Sequence, residues 1–331
     1  MCGMARRKRV LLTASIAFLG LVAVAGGAAA LYVNSLARQF DAQTTKIAEP
    51  FPVETERPPP PTGEPAQRLA QNILLLGSDT RGAVGSVDDL GGRSDTMMVV
   101  HIPADRSQVT VMSMLRDSWV DIPGYGEAKI NAAMSWGGTP LAVQTVESII
   151  GVRIDHIVMV DFSSFGEITE ALGGVDVDNA IEFEVAGQYF PKGVVHLDGV
   201  NALNFVRERY EFVDSDYQRV RNQQAFMRAV VGQVANASTA LDPGKVQNLV
   251  AAVSPHLTVD SGFDSAYVAN LAFELRELRV GDVGFFTAPT LGTSTSEDGQ
   301  SIVVLDATRM GIIREAFVND QLGALPPTTY Q

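Results

Sequence analysis

The hydrophobic pattern of the chain changes character three times. From Val10 to Ala37 no side chain is charged, and Val10–Val33 is a run of apolar and small residues preceded by the basic cluster Arg6–Arg9. As a helix, 24 residues reach about 36 Å, enough to span a bilayer with some tilt. The run is longer than the apolar core of a signal peptide, which argues for an uncleaved anchor, although Gly26–Ala30 resemble a cleavage site. The positive-inside rule then puts residues 1–9 in the cytoplasm and everything after residue 33 outside the membrane. Seven of the sixteen prolines follow between Pro50 and Pro65. Such backbone favours an extended form, so residues 34–69 read as a linker, either a semi-rigid stalk or a plain spacer.

From about residue 70 the pattern becomes that of a compact domain. Short β-branched runs at Ile73–Leu76, Met97–Ile102, Val109–Met114 and Ile157–Val160 predict buried strands. Helical periods follow at Thr139–Ile150, Phe162–Leu172, Asp198–Glu208 and Asp214–Ala235. Weaker ones lie near Lys245–Val253, Ser265–Leu278 and Ala307–Val318. Strands alternating with helices predict one layered α/β domain over residues 70–325, followed by a short tail at 326–331.

Charge and composition narrow the chemistry. The formal net charge is −13, and beyond residue 9 the chain holds 21 basic against 38 acidic side chains. That balance excludes a protein that wraps a polyanion, so a phosphate site must be a local basic pocket. A lone cysteine, Cys2, excludes an intrachain disulfide and a cysteine zinc site, and the four histidines show no ligand spacing. The G-x-S-x-G elbow, the G-x-x-x-x-G-K-[ST] loop and the H-E-x-x-H motif are absent, and PGYGEAK (Pro123–Lys129) reads as a turn.

Candidate chemistry gathers at predicted strand ends. Asp79 follows the first strand and Asp95 opens the second, where two carboxylates can converge on a hard cation; both are also ordinary turn residues beside glycine. Arg116 and Asp117 follow the third strand. Arg207, Arg209, Arg219 and Arg221 lie within fifteen residues, interleaved with Glu208, Glu211, Asp214 and Asp216. They form either a salt-bridged solvent face or a phosphate site. The use of 20 Arg against 5 Lys favours the second, because the planar guanidinium fork matches phosphate. At 100° per residue, Asp216, Arg219 and Gln223 share one helix face. Arg221 falls on the opposite side as a surface residue paired with a local carboxylate, and Asn222 returns near the active face.

In order along the chain stand NILLLGSD, RSDTMM, MLRDSWVDIPG, KINAAMSWGG, IDHIVMVDFSSFGEITEALGGVDV, LDGVNALNFVRERY and a D-x-x-R…QQ run. Over residues 70–235 this series resembles the LytR–CpsA–Psr family of membrane-anchored bacterial cell-wall enzymes. The resemblance implies a central mixed sheet flanked by helices, with an apolar cavity for a polyprenyl tail. It also implies a phosphotransferase that moves a glycosyl-1-phosphate-linked glycopolymer from a polyprenyl-pyrophosphate carrier to a peptidoglycan sugar hydroxyl. On this chain Asp79 and Asp95 would then hold Mg²⁺, while Arg93, Arg116, Arg207, Arg209, Arg219 and Gln223 would line the pyrophosphate. Arg93, Asp95 and Arg116 would act closest to the chemistry, with Asp95 or Asp117 as general base. Two departures stand out: Leu115 where the family often has proline, and Asn222 where it usually has arginine. The alternatives are a hydrolase acting on the same pyrophosphate and a non-catalytic lipid-binding or regulatory envelope protein.

Overall fold

The structure, a computed structural model, describes residues 31–60, 69–78, 94–161, 165–235 and 242–326. Among these residues no helix is long and apolar enough to cross a membrane, and the expected anchor lies almost wholly outside them.

The chain opens with helix α1 (residues 31–43) and strand β1 (Thr45–Lys46). Strands β2 (Gln71–Ser78), β3 (Ser94–Ile102) and β4 (Val109–Met114) follow, then the hairpin β5 (Ser118–Ile122) and β6 (Gly126–Lys129). Helix α2 (Asn131–Ile150), β7 (His156–Asp161) and α3 (Phe165–Ala171) come next. The short strands β8 (Val175–Asn179), β9 (Phe183–Val185), β10 (Gln188–Phe190) and β11 (Gly193–Leu197) lead to α4 (Gly199–Arg207) and α5 (Asp216–Ala235). After α6 (Pro243–Val253) the chain forms β12 (Leu257–Val259), α7 (Ser265–Glu274), β13 (Val283–Thr287), β14 (Thr290–Thr295), β15 (Ser301–Leu305) and α8 (Ala307–Val318).

Seven strands form a mixed sheet in the order β1-β12-β7-β2-β3-β4-β13, as the α/β reading expected. The two-residue period of a strand sends alternate side chains to opposite faces. Leu74, Leu76, Val99 and Met112 pack with Val143, Val146 and Ile150 of α2 and Ile313 and Phe317 of α8. Ile73, Met98, Val111 and Val158 belong to a second cluster with Phe40, Phe263 and Leu271. A third core, centred on Phe190 and Phe205, joins α4 and α5 to the β8–β11 strands. Helix α2 starts eight residues earlier than its apolar period suggests. It is two helical pieces joined across Gly137 and Gly138, and only the second carries the continuous buried stripe.

The segment expected to be a linker is corrected by the structure. Strand β1 pairs in parallel with β12, Ile47 is buried in the main core, and Phe51 packs against that core. Arg57 reaches the buried Glu147 of α2 at 2.6 Å and donates to the Ile154 carbonyl at 2.6 Å, while Glu147 also accepts from the Ile154 N–H. A proline-rich composition disfavours helix, but it does not stop single side chains from anchoring an extended strap. The domain therefore begins near residue 32 rather than 70.

At the same end of the sheet, directly after β12, Asp260 accepts from the Ile157 and Gly262 amides at 2.9 and 2.8 Å and faces His156 Nδ1 at 3.2 Å. Burial alone would raise its carboxyl, but His156 and these amides outweigh burial and hold it below the usual carboxylate range.

Two expectations follow. Arg57→Ala leaves Glu147 buried without its cation and should destabilise the domain by about 3–5 kcal/mol in urea unfolding, and a chain starting at residue 66 should unfold well before one starting at residue 31. The Asp260 contribution is present above about pH 4 and is lost as pH falls through the lowered folded value. Asp260→Asn should accordingly flatten the acid limb of the stability–pH profile.

Candidate active site

Three arginines from three parts of the chain converge on one carboxylate. Asp216, in the first turn of α5, has Arg116 Nε at 3.3 Å, Arg219 Nη2 at 3.4 Å and Arg209 Nη1 at 3.6 Å. Its side chain is 13% exposed and that of Arg219 is 6% exposed, so screening by water is weak. These contacts are ion pairs and not close hydrogen bonds. Neither Asp216 oxygen has a hydrogen-bond partner among the described residues.

Local structure places each member. Arg116 leaves β4 in the turn that the Ser118 N–H closes on the Leu115 carbonyl at 2.9 Å. Leu115 is buried against Val220 of α5 and Val303 of β15. Arg209 sits in a loop held by buried Glu208, whose Oε1 accepts the amides of Arg209, Tyr210 and Glu211. Arg219 lies one turn into α5, and Gln224 ties that helix to Ser113 Oγ at 2.9 Å and Thr287 Oγ1 at 3.1 Å. The helix N-terminus itself favours negative charge. Arg207 closes α4 in a half-buried position. Asp117 accepts from Lys129 Nζ at 3.1 Å and stands 3.8 Å from Arg116 Nε.

Below the arginines lies an apolar cavity of about 450 Å³. Its walls come from Leu75, Met98 and Val160 of the sheet, Phe226, Met227, Val230 and Val234 of α5, Leu249 and Val253 of α6, and Phe40 of α1. Gln223 also lines it, donating to the Val206 carbonyl at 3.3 Å while its buried Oε1 has no partner among the described residues. Residues 216, 219, 223, 226, 230 and 234 fall on one face of α5, which thus runs from charge at its start to hydrocarbon at its end.

The helix-phase reading is met for Arg221, which is half-exposed and ion-paired with Asp214. Asn222 differs from expectation. Its amide accepts from Gln218 at 2.8 Å and donates to the Phe205 carbonyl at 3.3 Å, so it joins α5 to α4 and does not face the arginines. Of the expected metal and catalytic residues, Asp79 and Arg93 lie outside the described residues, as does the side chain of Asp95. The backbone does show where Asp95 falls. Gly77 pairs with Thr96 and Ser78 with Ser94, so Asp95 is the extra residue of a β-bulge at the end of β2, directly before Asp79 in the sequence. Bulges re-aim side chains and are common beside active sites. Two features were not foreseen: Asp216 as the centre of the arginine cluster, signalled only by its spacing from Arg219, and the part of α1 in the cavity wall.

The LytR_cpsA_psr family profile matches residues 32–317. A polyisoprenyl-teichoic acid–peptidoglycan teichoic acid transferase, TagU of Enterococcus faecalis, is 33% identical over 250 residues, covering 75% of this chain and 78% of its own. The cell wall biosynthesis protein LcpA of Corynebacterium glutamicum is 30% identical over 300 residues; the match covers 78% of this chain but only 57% of that longer protein. The crystal structure of TagV from B. subtilis superposes with a TM-score of 0.65 at 25% identity, covering 78% of this chain and all of that one.

Arg219→Ala should lower turnover by about 10²–10³-fold, the loss typical of one preorganised donor to a developing negative charge. Arg221→Ala, which removes only a half-exposed pair, should change it by less than about threefold. Steady-state rates of the two variants side by side test this, and a larger loss at Arg221 would refute the site.

Proposed function

The chain belongs to the LytR–CpsA–Psr family, and from that premise we propose that it transfers a glycopolymer from a polyprenyl-pyrophosphate carrier to a sugar hydroxyl of peptidoglycan. The observation that carries this reading is the polarity of the α5 face. A polyprenyl pyrophosphate is a dianionic or trianionic head on a hydrocarbon tail. The first turn of α5 gathers Arg116, Arg209 and its own Arg219 around Asp216, and the helix walls an apolar cavity about one to four turns further on.

In this reading the carrier's tail occupies the cavity, which withdraws its apolar surface from water. Arg116, Arg209 and Arg219 turn from Asp216 toward the pyrophosphate oxygens, Gln223 contributes its amide at the boundary between head and tail, and Arg93 and Arg207 complete the lining. The acceptor hydroxyl oxygen attacks the glycan-side phosphorus, the bridging P–O bond breaks, and polyprenyl phosphate leaves. The hydroxyl proton passes to Asp95 or Asp117. Phosphoryl transfer of this kind depends mainly on positioning and charge neutralisation, and arginines supply both.

Asp79 and Asp95 would hold Mg²⁺. The bulge that places Asp95 beside the end of β2 fits two oxygen donors drawn from adjacent strand ends. When bound, the ion would neutralise pyrophosphate charge. Residues 10–33 would anchor the protein as a single pass, N-terminus in the cytoplasm and the domain outside. Such an anchor would hold the cavity close to the bilayer in which its substrate resides.

With the full chain in proteoliposomes, covalent attachment of glycopolymer to peptidoglycan should require Mg²⁺ and stop on chelation. Asp79→Ala and Asp95→Ala should each lower it by at least about 10²-fold with little change in thermal stability. Arg116→Lys should recover only part of the loss seen in Arg116→Ala, because lysine cannot reproduce the fork. Near-normal attachment by either aspartate variant would remove its assigned role.

A further inference from the structure

The chain has two tryptophans, and one of them stands out in the water. Trp136 is 47% exposed and stacks on Tyr125, itself 58% exposed, with ring centroids 5.2 Å apart and planes 28° apart. Both rings are fixed by unusual backbone. Trp136 ends the first piece of α2 directly before Gly137 and Gly138; a Cβ on Gly137 would come within 2.6 Å of Leu141, and Gly138 has φ +63°. Tyr125 lies in the β5–β6 turn between Gly124 at φ +80° and Gly126 at φ +83°, its N–H donating to the Ile122 carbonyl at 2.9 Å. Glycine in such positions costs folding entropy, and leaving two large rings exposed forgoes their burial.

This pair is built onto the active site. Strand β5 begins directly after Arg116 and Asp117, and β6 ends at Lys129, the partner of Asp117. The Ile130 and Asn131 amides donate to the Ser118 and Arg116 carbonyls at 2.8 and 3.2 Å. The hairpin therefore carries reacting groups at its base and Tyr125 at its tip, where Trp136 of α2 stacks on it, about 14 Å away at the rise of a strand, a distance of a few sugar rings. On the strands between them Asp121 and Glu127 are directly opposite each other and both exposed. Like charges in that register destabilise a sheet, but they suit hydroxyl donors.

We propose that Tyr125 and Trp136 form a ledge that holds sugar rings of the acceptor glycan strand while its hydroxyl lies at the arginine cluster. The inference rests on the transferase reading above. The electron-rich face of an aromatic ring attracts the polarised C–H face of a pyranose, and the neighbouring carboxylates accept its hydroxyls. A lipid surface is the less fitting occupant, because the acidic pair would repel anionic headgroups and the nearby cation, Lys129, is engaged by Asp117.

The test uses the full chain carrying Trp119→Phe, which leaves Trp136 as its single tryptophan. Titration with soluble, uncross-linked peptidoglycan glycan strands should give a saturable change in its fluorescence, and adding Tyr125→Ala should weaken that binding by about tenfold. In the transfer assay Trp136→Ala should raise the KM for acceptor by about tenfold more than the KM for donor, with Trp136→Phe recovering most of the loss. Normal transfer with an unshifted acceptor KM in both alanine variants would overturn the ledge and leave the transferase standing. Absence of any donor turnover by the unmodified chain would instead sink the transferase, and the fluorescence titration would still decide the ledge. Quenching of Trp136 by brominated lipid in proteoliposomes would overturn it in favour of a membrane contact.

Discussion

Three guanidinium groups within 3.6 Å of one carboxylate is the constraint around which the catalytic half of this domain is arranged. Three like charges cannot be brought together in a partly dry site without a counter-charge, and Asp216 supplies it. On the proposed reading the carboxylate is a stand-in of lower charge than a pyrophosphate. It keeps Arg116, Arg209 and Arg219 aimed at one point, so little reorganisation is needed when a more highly charged anion takes over. The supporting contacts follow from the same need: buried Glu208 pins the loop of Arg209, Leu115 wedges the turn of Arg116 under α5, and Gln224 fastens α5 to the sheet.

Helix α5 is also where the two halves of the proposed substrate are told apart. Its first turn is charged and its later turns wall the cavity, with Gln223 at the boundary. A soluble sugar pyrophosphate would satisfy only the first turn, and a fatty chain only the rest. On the proposed reading, selectivity for a lipid-linked pyrophosphate would arise because both parts lie on one face of a helix, which fixes their spacing.

The strap at residues 45–57 and α1 extend that logic toward the N-terminal end of the described chain. Phe40 lines the cavity, Asp41 accepts from Ser265, and Arg57 is locked onto Glu147, so the chain between the expected anchor and the sheet is part of the folded body. A docked segment fixes α1 against the cavity, which a free spacer would not do.

By itself the sequence determined what depends on neighbours along the chain. The short β-branched runs placed the sheet's inner strands, the 3.6 period placed α5 with Arg219 and Gln223 on one face and Arg221 on the other, and the ordered motifs marked Arg116, Arg207 and Arg209. It did not reveal the strap, because Ile47, Phe51 and Arg57 are isolated anchors in a proline-rich stretch and set up no period. Nor did it show that Asp216, placed on the face of Arg219, is the centre of the arginine cluster, or that Asn222 turns toward α4. Those matters depend on which side chains meet between separate elements, as Arg116 and Asp216 do, and local pattern carries no information about such meetings. Only the tertiary packing of α5 against β4 and α4 decided them, since it is that packing which sets what each position on the helix faces.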